Sequence, residues 1–158
     1  MQDKKTILAP AKLNLFLKIV GRKINGYHLI HSGITFLNLF DKIQVEESNK
    51  NEIFYKGLFK PLNGNFNDCI INKTLNFIDL PKKTYFKITI TKNIPVQGGL
   101  GSASTNAASL ILLLNKLKYI KLQNPSKYIL IGSDVPCFLF NKNCIVSGVG
   151  DIIEKKHH

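Results

Sequence analysis

Arginine is almost absent from this sequence of 158 residues, in which Arg22 is the only one. Lysine therefore carries nearly all of the positive charge, and because only 10 residues are acidic the formal net charge is +12. The lysines are scattered and form no block of five or more, whereas basic tails that bind nucleic acid carry such blocks. We therefore expect a solvated surface with a general attraction for anions, and no specific nucleic acid partner.

Long hydrophobic runs are lacking as well. No apolar stretch has the length of a membrane span, and residues 1–5 precede a strand-like segment rather than the apolar core of a signal peptide. These absences predict a cytoplasmic protein without a membrane partner. The three cysteines, Cys69, Cys137 and Cys144, are odd in number and lack metal-ligand spacing, which predicts small reduced core residues.

The patterning that is present suits one domain with a buried core. Alternation of apolar and polar residues predicts strands over 7–20, 34–45, 52–55, 85–91 and 144–147, with a turn at 21–28. Helical periodicity covers 69–78, with a cap at 67–68, and 102–117, while 62–66 is predicted to be a loop.

A glycine-rich loop joins a predicted strand to the longest predicted helix. It reads Pro95-Val96-Gln97-Gly98-Gly99-Leu100-Gly101-Ser102-Ala103-Ser104-Thr105. Unpaired N–H groups and the positive end of the dipole make a helix start an anion site, above all for phosphate. The loop lacks the Gly-Lys-Ser/Thr ending of a P-loop and the third glycine of a dinucleotide fingerprint. By itself it predicts either a phosphate site or a tight strand-to-helix connection.

Asp134 stands in the most apolar stretch of the second half, residues 129–140. Proline suits the start of a helix, so Pro136 favours a helix beginning beside it, and Ser133 or Asp134 can be a plain N-cap. Asp134 can instead be a general base that a nearby cation keeps ionised, and both roles can hold together.

Lys12 interrupts an apolar strand in the same way. With Asn14 and Phe16 it is expected on one face, opposite the alternating leucines. These side chains either face solvent or line a ligand cleft, where the lysine would pair with a carboxylate or a phosphate. Tyr27 and His28 follow the predicted turn and suit stacking on, and hydrogen bonding to, a nucleobase.

Five segments occur in an order that resembles the GHMP kinase superfamily, and within it the kinases that act on 4-diphosphocytidyl-2-C-methyl-D-erythritol. They are Pro10-Ala11-Lys12-Leu13-Asn14-Leu15-Phe16-Leu17, Gly26-Tyr27-His28, the stretch from Pro95 to Ala108, Gly132-Ser133-Asp134-Val135-Pro136 and Gly148-Val149-Gly150. The glycine loop marks the superfamily, and the first two segments mark this substrate class. The resemblance extends over about residues 8–154.

The resemblance implies phosphoryl transfer from ATP to a hydroxyl of this cytidine-bearing substrate, in the non-mevalonate route to isoprenoid precursors. Asp134 would accept the proton of that hydroxyl, and Lys12 would hold Asp134 ionised and orient it. Asn14 would lie close to the transferred group, and Tyr27 and His28 would contact the cytosine. Mg²⁺ would neutralise the ATP phosphates. The residues implied to hold those phosphates are Pro95, Gly98, Gly99, Leu100, Gly101, Ser102, Ala103, Ser104 and Thr105.

Two departures from the family pattern stand out. Ser102-Ala103 occupies the place of Ser-Ser or Gly-Gly, so the hydroxyl that meets the metal can be that of Ser102, Ser104 or Thr105. Members of the family run to nearly twice 158 residues, in two domains with the cleft between them. Residues 1–156 therefore resemble only the N-terminal domain, with an α/β (α+β) fold of the ribosomal protein S5 domain 2-like type. The C-terminal domain is expected to be absent from this chain, and residues 157–158 resemble a tag remnant.

Two other functions compete with this interpretation. The implied fold also occurs in RNA-binding ribosomal proteins, so a basic, non-catalytic RNA- or nucleotide-binding module is one alternative. A GHMP kinase for another small molecule, such as mevalonate or homoserine, is the other, and Gly26-Tyr27-His28 disfavours it. The sequence makes no prediction of the oligomeric state.

Overall fold

The computed structural model describes residues 5–61 and 69–155. The elements of this part are β1 (Lys5–Arg22), β2 (His28–Ser48), β3 (Glu52–Lys56), α1 (Ile70–Phe77), β4 (Tyr85–Thr91), α2 (Ser102–Lys116), α3 (Val135–Phe140), β5 (Cys144–Gly148) and β6 (Ile152–Lys155). A 3-10 helix, Pro125–Leu130, precedes α3. The predicted loop at 62–66 and the predicted cap at 67–68 lie outside the described residues.

The six strands form one sheet around β2, which is 21 residues long. β1 runs antiparallel to β2 along nearly its whole length. The other edge of β2 is shared between β4, which pairs with residues 42–48, and β5, which pairs with residues 30–34. β3 is parallel to β4, and β6 is antiparallel to β5. The length of β2 thus brings segments that are distant in sequence into one layer.

The helices cover one face of this sheet. α2 contacts β1 and β2 and lies beside α1 and α3. The residues at the centre of the core are Ile43, Val45, Ile88, Ile90, Leu110, Ile111 and Leu114. Burying an aliphatic side chain of this size contributes roughly 1.5–3 kcal/mol, so the alternating strand residues and the apolar face of α2 fix the layers against each other. No described helix has the length and apolar character needed to cross a membrane.

The cysteines lie in or beside this core. Cys137 and Cys144 are buried, as predicted, and Cys69 is half-buried. A hydrogen bond with Cys144 and burial raise the pKa of the Cys137 thiol, which therefore stays protonated and packs as a small apolar group. At Cys69 the sulfur caps α1 by accepting a hydrogen bond from the Asn72 N–H at 3.5 Å, so the helix begins one residue after the predicted start.

Most predicted elements are confirmed, and the differences have tertiary causes. β4 and the start of α2 lie where the alternation and the helical periodicity place them. β2 begins at His28 rather than at residue 34, because residues 28–33 pair with β1 on one edge and, from Ile30 onward, with β5 on the other. Such pairing outweighs the weak strand preference of a His-Ser-Gly segment. β6 is absent from the predicted elements, and the apolar run 129–140 divides into the end of the 3-10 helix and α3.

Candidate functional site

The glycine loop, the middle of β1 and the start of α3 meet at one pocket of about 570 Å³. Residues 95–104 form one wall, and Lys12, Lys92 and Asp134 contribute charged side chains. Among the described lining residues Asp134 is the one carboxylate. Two lysines and one carboxylate, beside the N-terminus of a 15-residue helix, favour an anionic ligand.

The loop has a conformation that glycine makes possible. Gly99 and Gly101 have φ of 68° and 72°, and Gly101 occupies the N-cap of α2 in the left-handed region. There the first N–H groups of the helix have no carbonyl acceptor within it. The Leu100 carbonyl accepts a hydrogen bond from the Lys12 N–H at 3.0 Å, which ties the loop to β1. The predicted phosphate loop is therefore docked against the strand that carries Lys12.

Lys12 and Asp134 meet across the pocket. The Nζ of Lys12 lies 3.4 Å from Oδ2 of Asp134, and the side chains are 9% and 34% exposed. Asp134 stands at the N-cap of α3, but its side chain makes no capping hydrogen bond. The carboxylate is thus directed to the lysine and to the pocket, and it does not act as the plain N-cap that the sequence left open.

Asn14 holds the other side of Lys12. Its Oδ1 accepts a hydrogen bond from Lys12 Nζ, and its Nδ2 donates to Ser32 Oγ at 2.7 Å. Ser32 is fully buried in β2, and its hydroxyl donates a hydrogen bond to the Phe16 carbonyl at 2.7 Å. This chain of donors and acceptors fixes the position of the Lys12 ammonium group.

Phe16 does not share the face of Lys12 and Asn14, so that expectation is wrong. The β1–β2 register shifts between Asn14 and Phe16. The shift reverses the alternation, and the Phe16 ring lies 5.5 Å from His31 on the opposite face from Ser32. A bulge of this kind cannot be read from an alternating apolar pattern.

A second buried lysine, Lys92, follows β4. Its Nζ donates to Oδ2 of Asp41 and to Oγ of Ser102. Asp41 is fully buried, and Lys92 is 4% exposed. Burial lowers the pKa of Lys92, and the hydrogen bond and charge of Asp41 oppose that shift. Ser102, one of the predicted metal-binding hydroxyls, is therefore already bonded within the protein.

The other predicted hydroxyls lie in different places. Ser104 lines the pocket, whereas Thr105 is fully buried and is not among the described lining residues. The Thr105 N–H donates to the Gly101 carbonyl at 2.9 Å, and its Oγ1 has no partner. Asn106 lines the pocket with a buried, unpartnered Oδ1. The described residues contain no group of three His, Cys, Asp or Glu that could hold a metal ion.

Tyr27 and His28 lie at the far end of the β1–β2 hairpin and do not line the pocket. Tyr27 is 64% exposed, and His28 is exposed at the start of β2. Eight strand positions separate His28 from Phe36, the partner of Lys12, which is at most about 26 Å of extended chain. The structure therefore brings together Lys12, Asn14, Asp134 and the glycine loop, while any contact with Tyr27 and His28 requires an elongated ligand.

The sequence interpretation missed Asp41, Lys92, Ser32 and Asn106. A signal for Asp41 exists, because Asp41, Ile43 and Val45 occupy alternate positions of one strand and therefore share its buried face. No comparable signal exists for Ser32, whose burial results from pairing with β1 and β5 on both sides.

Comparison with known proteins agrees with this geometry. A model of the GHMP kinases N terminal domain matches residues 69–142. A 4-diphosphocytidyl-2-C-methyl-D-erythritol kinase from Buchnera aphidicola is 39% identical over 162 residues, covering 94% of this chain and 54% of that protein. The kinase of the same name from Nitrosomonas eutropha is 34% identical over 153 residues, covering 94% of this chain and 55% of that protein.

A solved structure of 4-(cytidine 5'-diphospho)-2C-methyl-D-erythritol kinase has the same fold. It superposes with a TM-score of 0.76 at 26% identity, covering 95% of this chain and 54% of that chain. The predicted fold class is thereby confirmed, and the chain spans about half the length of the curated relatives it matches. Residues 69–142 therefore match the N-terminal domain of GHMP kinases, and nearly the whole chain is similar to about half of kinases of this kind.

Proposed function

We propose that this chain carries the phosphate loop and the proton acceptor of an ATP-dependent kinase for 4-diphosphocytidyl-2-C-methyl-D-erythritol, in non-mevalonate isoprenoid precursor biosynthesis. The observation that supports the proposal most is the Lys12–Asp134 ion pair at 3.4 Å, in a pocket whose other wall is the glycine loop. The similarity to kinases of that name extends over more than nine-tenths of the chain.

The glycine loop and the first turn of α2 would hold the ATP phosphates through backbone N–H groups. Without a Cβ, the glycines allow phosphate oxygens to approach the backbone closely, and the helix N-terminus favours their charge. Lys12 adds positive potential in the same pocket. Catalysis of this class consists mainly of positioning and electrostatic stabilisation, which a preorganised loop provides.

Asp134 would accept the proton of the substrate hydroxyl. As the proton moves to the carboxylate, the hydroxyl oxygen forms a bond to the γ-phosphorus, the bond from that phosphorus to the bridging oxygen breaks, and ADP leaves. Lys12, held by Asn14, keeps the carboxylate oriented. Tyr27 and His28 would contact the cytosine of a substrate that extends along the hairpin.

The residues present fit a magnesium ion that is held mainly by the phosphates. Mg²⁺ is usually bound by one or two carboxylates together with substrate phosphates and water, and the Asp134 carboxylate and the Ser104 hydroxyl are oxygen groups that line the pocket. When bound, such an ion would neutralise phosphate charge. The chain's own lysines do part of the same work.

The test is a kinase assay with the cytidyl substrate on this chain and on a version extended by the second half that the relatives possess. We expect product from the extended protein and little turnover from this chain alone, because part of the substrate cleft would come from the second half. Asp134→Asn and Lys12→Ala in the extended protein should nearly abolish turnover, while the matched control Asp151→Asn, in the β5–β6 turn, keeps it.

Each result that contradicts the proposal identifies a different error. Full activity of both site variants would show that these residues do not carry the reaction. Phosphorylation of mevalonate or homoserine in place of the cytidyl substrate would indicate another GHMP kinase. Salt-dependent RNA binding without ATP binding would favour the non-catalytic module, to which the net charge of +12 is suited.

A further inference from the structure

Asp41 connects two parts of the chain that flank the glycine loop. Its Oδ1 accepts hydrogen bonds from the N–H groups of Asn93 at 2.7 Å and Ile94 at 2.8 Å, immediately before the loop. Its Oδ2 pairs with Lys92 Nζ. The side chain is fully buried in β2, so these donors replace the water that the carboxylate gives up.

The same group of atoms reaches the far end of the loop. Lys92 Nζ also donates to Oγ of Ser102, the first residue of α2, and that hydroxyl lies 3.3 Å from Asp41 Oδ2. Asn93 Nδ2 adds a hydrogen bond to the Phe40 carbonyl at 3.1 Å. Residues 92–94 and 102, which lie on either side of loop 95–101, are therefore held at one buried carboxylate.

We propose that Asp41, Lys92 and Ser102 form a clasp that holds the two ends of loop 95–101 together and preorganises the loop for an anionic ligand. Asp41 is a positioning residue in this scheme. The identification of the ligand as ATP rests on the proposed function, whereas the clasp itself is a property of the ligand-free chain.

The physical reason is conformational entropy. A loop with three glycines in seven residues has many accessible conformations, and ordering each residue costs conformational entropy. A loop that is already ordered at both ends loses less freedom when it binds phosphate, and the ligand is bound more tightly. Because Asp41 already neutralises Lys92, the lysine acts as a structural link and not as the principal phosphate ligand.

The main test is hydrogen exchange of the ligand-free 158-residue chain, measured by mass spectrometry on short peptides. In Asp41→Asn, which keeps the shape of the side chain, we expect amide exchange over 93–104 to rise at least tenfold. Exchange of the paired strand residues 86–90 should stay within twofold. The matched control is Asp151→Asn, because Asp151 also accepts a turn N–H, that of Val149 at 3.0 Å, away from the loop.

A second variant covers the case in which Asp41→Asn does not fold. Ser102→Ala retains the Lys92–Asp41 ion pair and removes only the link to α2, so exchange should rise over 99–104 while Asn93 and Ile94 stay protected. Unchanged loop exchange in a folded variant would overturn the clasp. An equal rise over the loop and over 86–90 would overturn it as well, because it would show general destabilisation.

Binding of inorganic tripolyphosphate, followed by calorimetry, separates this inference from the proposed function. We expect the dissociation constant of Ser102→Ala to be about tenfold higher than that of the unaltered chain. If the altered loop exchanges faster but binds equally well, preorganisation for anions is refuted. If the unaltered chain binds no tripolyphosphate, the kinase proposal loses support, and the exchange pattern still decides whether the clasp exists.

Discussion

Lys12 is a charged residue that is only 7% exposed, and the position of its side chain depends on its neighbours. A buried ammonium group is tolerated when its donors are satisfied. Here Asn14 accepts a hydrogen bond from it, and Asp134 forms an ion pair with it. Asn14 is in turn fixed by Ser32. The geometry of the reactive pair therefore depends on a buried serine that is not among the described residues lining the pocket.

At the residue scale, we predict that Ser32→Ala lowers the free energy of unfolding by about 1–3 kcal/mol. The change leaves the Asn14 amide and the Phe16 carbonyl without their 2.7 Å partner in a partly buried setting. Urea titration followed by circular dichroism measures the effect. Ser147→Ala is the matched control, because the Ser147 hydroxyl hydrogen-bonds to the exposed His31 ring at 3.2 Å, and the change should cost under about 0.5 kcal/mol. Equal costs would contradict the role given to Ser32.

At the scale of elements, the junction between the glycine loop and α2 permits only a glycine at position 101. A Cβ built there would lie 2.6 Å from the Phe138 ring and 3.1 Å from Lys12 Cγ, and φ is +72°. Phe138 belongs to α3 and is buried. The loop, β1 and α3 thus contact each other at a point where even a methyl group does not fit.

We predict that Gly101→Ala destabilises the chain by about 2–4 kcal/mol, the sum of backbone strain and overpacking. Gly99→Ala provides the control: its φ is +68°, yet nothing lies within 4 Å of the added Cβ, so only the backbone cost of about 1–2 kcal/mol remains. Thermal and urea unfolding of both variants measures the difference, which isolates the contact with Phe138. A difference near zero would mean that α3 moves aside easily and that the junction is loosely packed.

At the scale of the whole molecule, the outer half of the β1–β2 hairpin exposes apolar side chains. Leu17 is 58% exposed and Ile19 is 65% exposed. The other exposed apolar residues of this region are Leu13, Leu15, Phe16, Val20, Ile24 and Tyr27. The hairpin extends past the helices that cover the rest of the sheet, so no helix buries its apolar side chains. Together these side chains expose a larger apolar surface than isolated surface leucines would.

We predict that the chain binds a hydrophobic fluorescent dye at this hairpin and that Leu17→Ser with Ile19→Ser reduces the fluorescence at least twofold. The midpoint of thermal unfolding should change by about 2 °C or less, because substitutions at exposed positions rarely exceed 0.5 kcal/mol. Leu110→Ala, within the core, should by contrast cost about 2–5 kcal/mol. Unchanged dye fluorescence in the hairpin variant would place the binding surface elsewhere.

Local sequence patterns were sufficient to predict an element wherever the buried face of that element alone determines its structure. The alternation of Tyr85–Thr91 and the helical periodicity after Gly101 predicted β4 and α2, because a single buried face determines each. Motif order predicted the superfamily. The start of β2 and the reversal at Phe16 depended on which strands pair with β2, and a one-residue register shift leaves no trace in an alternating pattern.

By itself, the sequence determined most of the elements, the phosphate-type loop and the presence of a lysine and an aspartate suited to chemistry, since these depend on residue type and local spacing. Tertiary structure alone decided that Lys12 and Asp134, 122 positions apart in the numbering, meet at 3.4 Å. It also decided that Asp41 binds Lys92, Ser102 and the N–H groups of Asn93 and Ile94. The physical reason is that burial and partner geometry arise only when β1, β2 and α2 pack together, and these determine what a charged side chain can do.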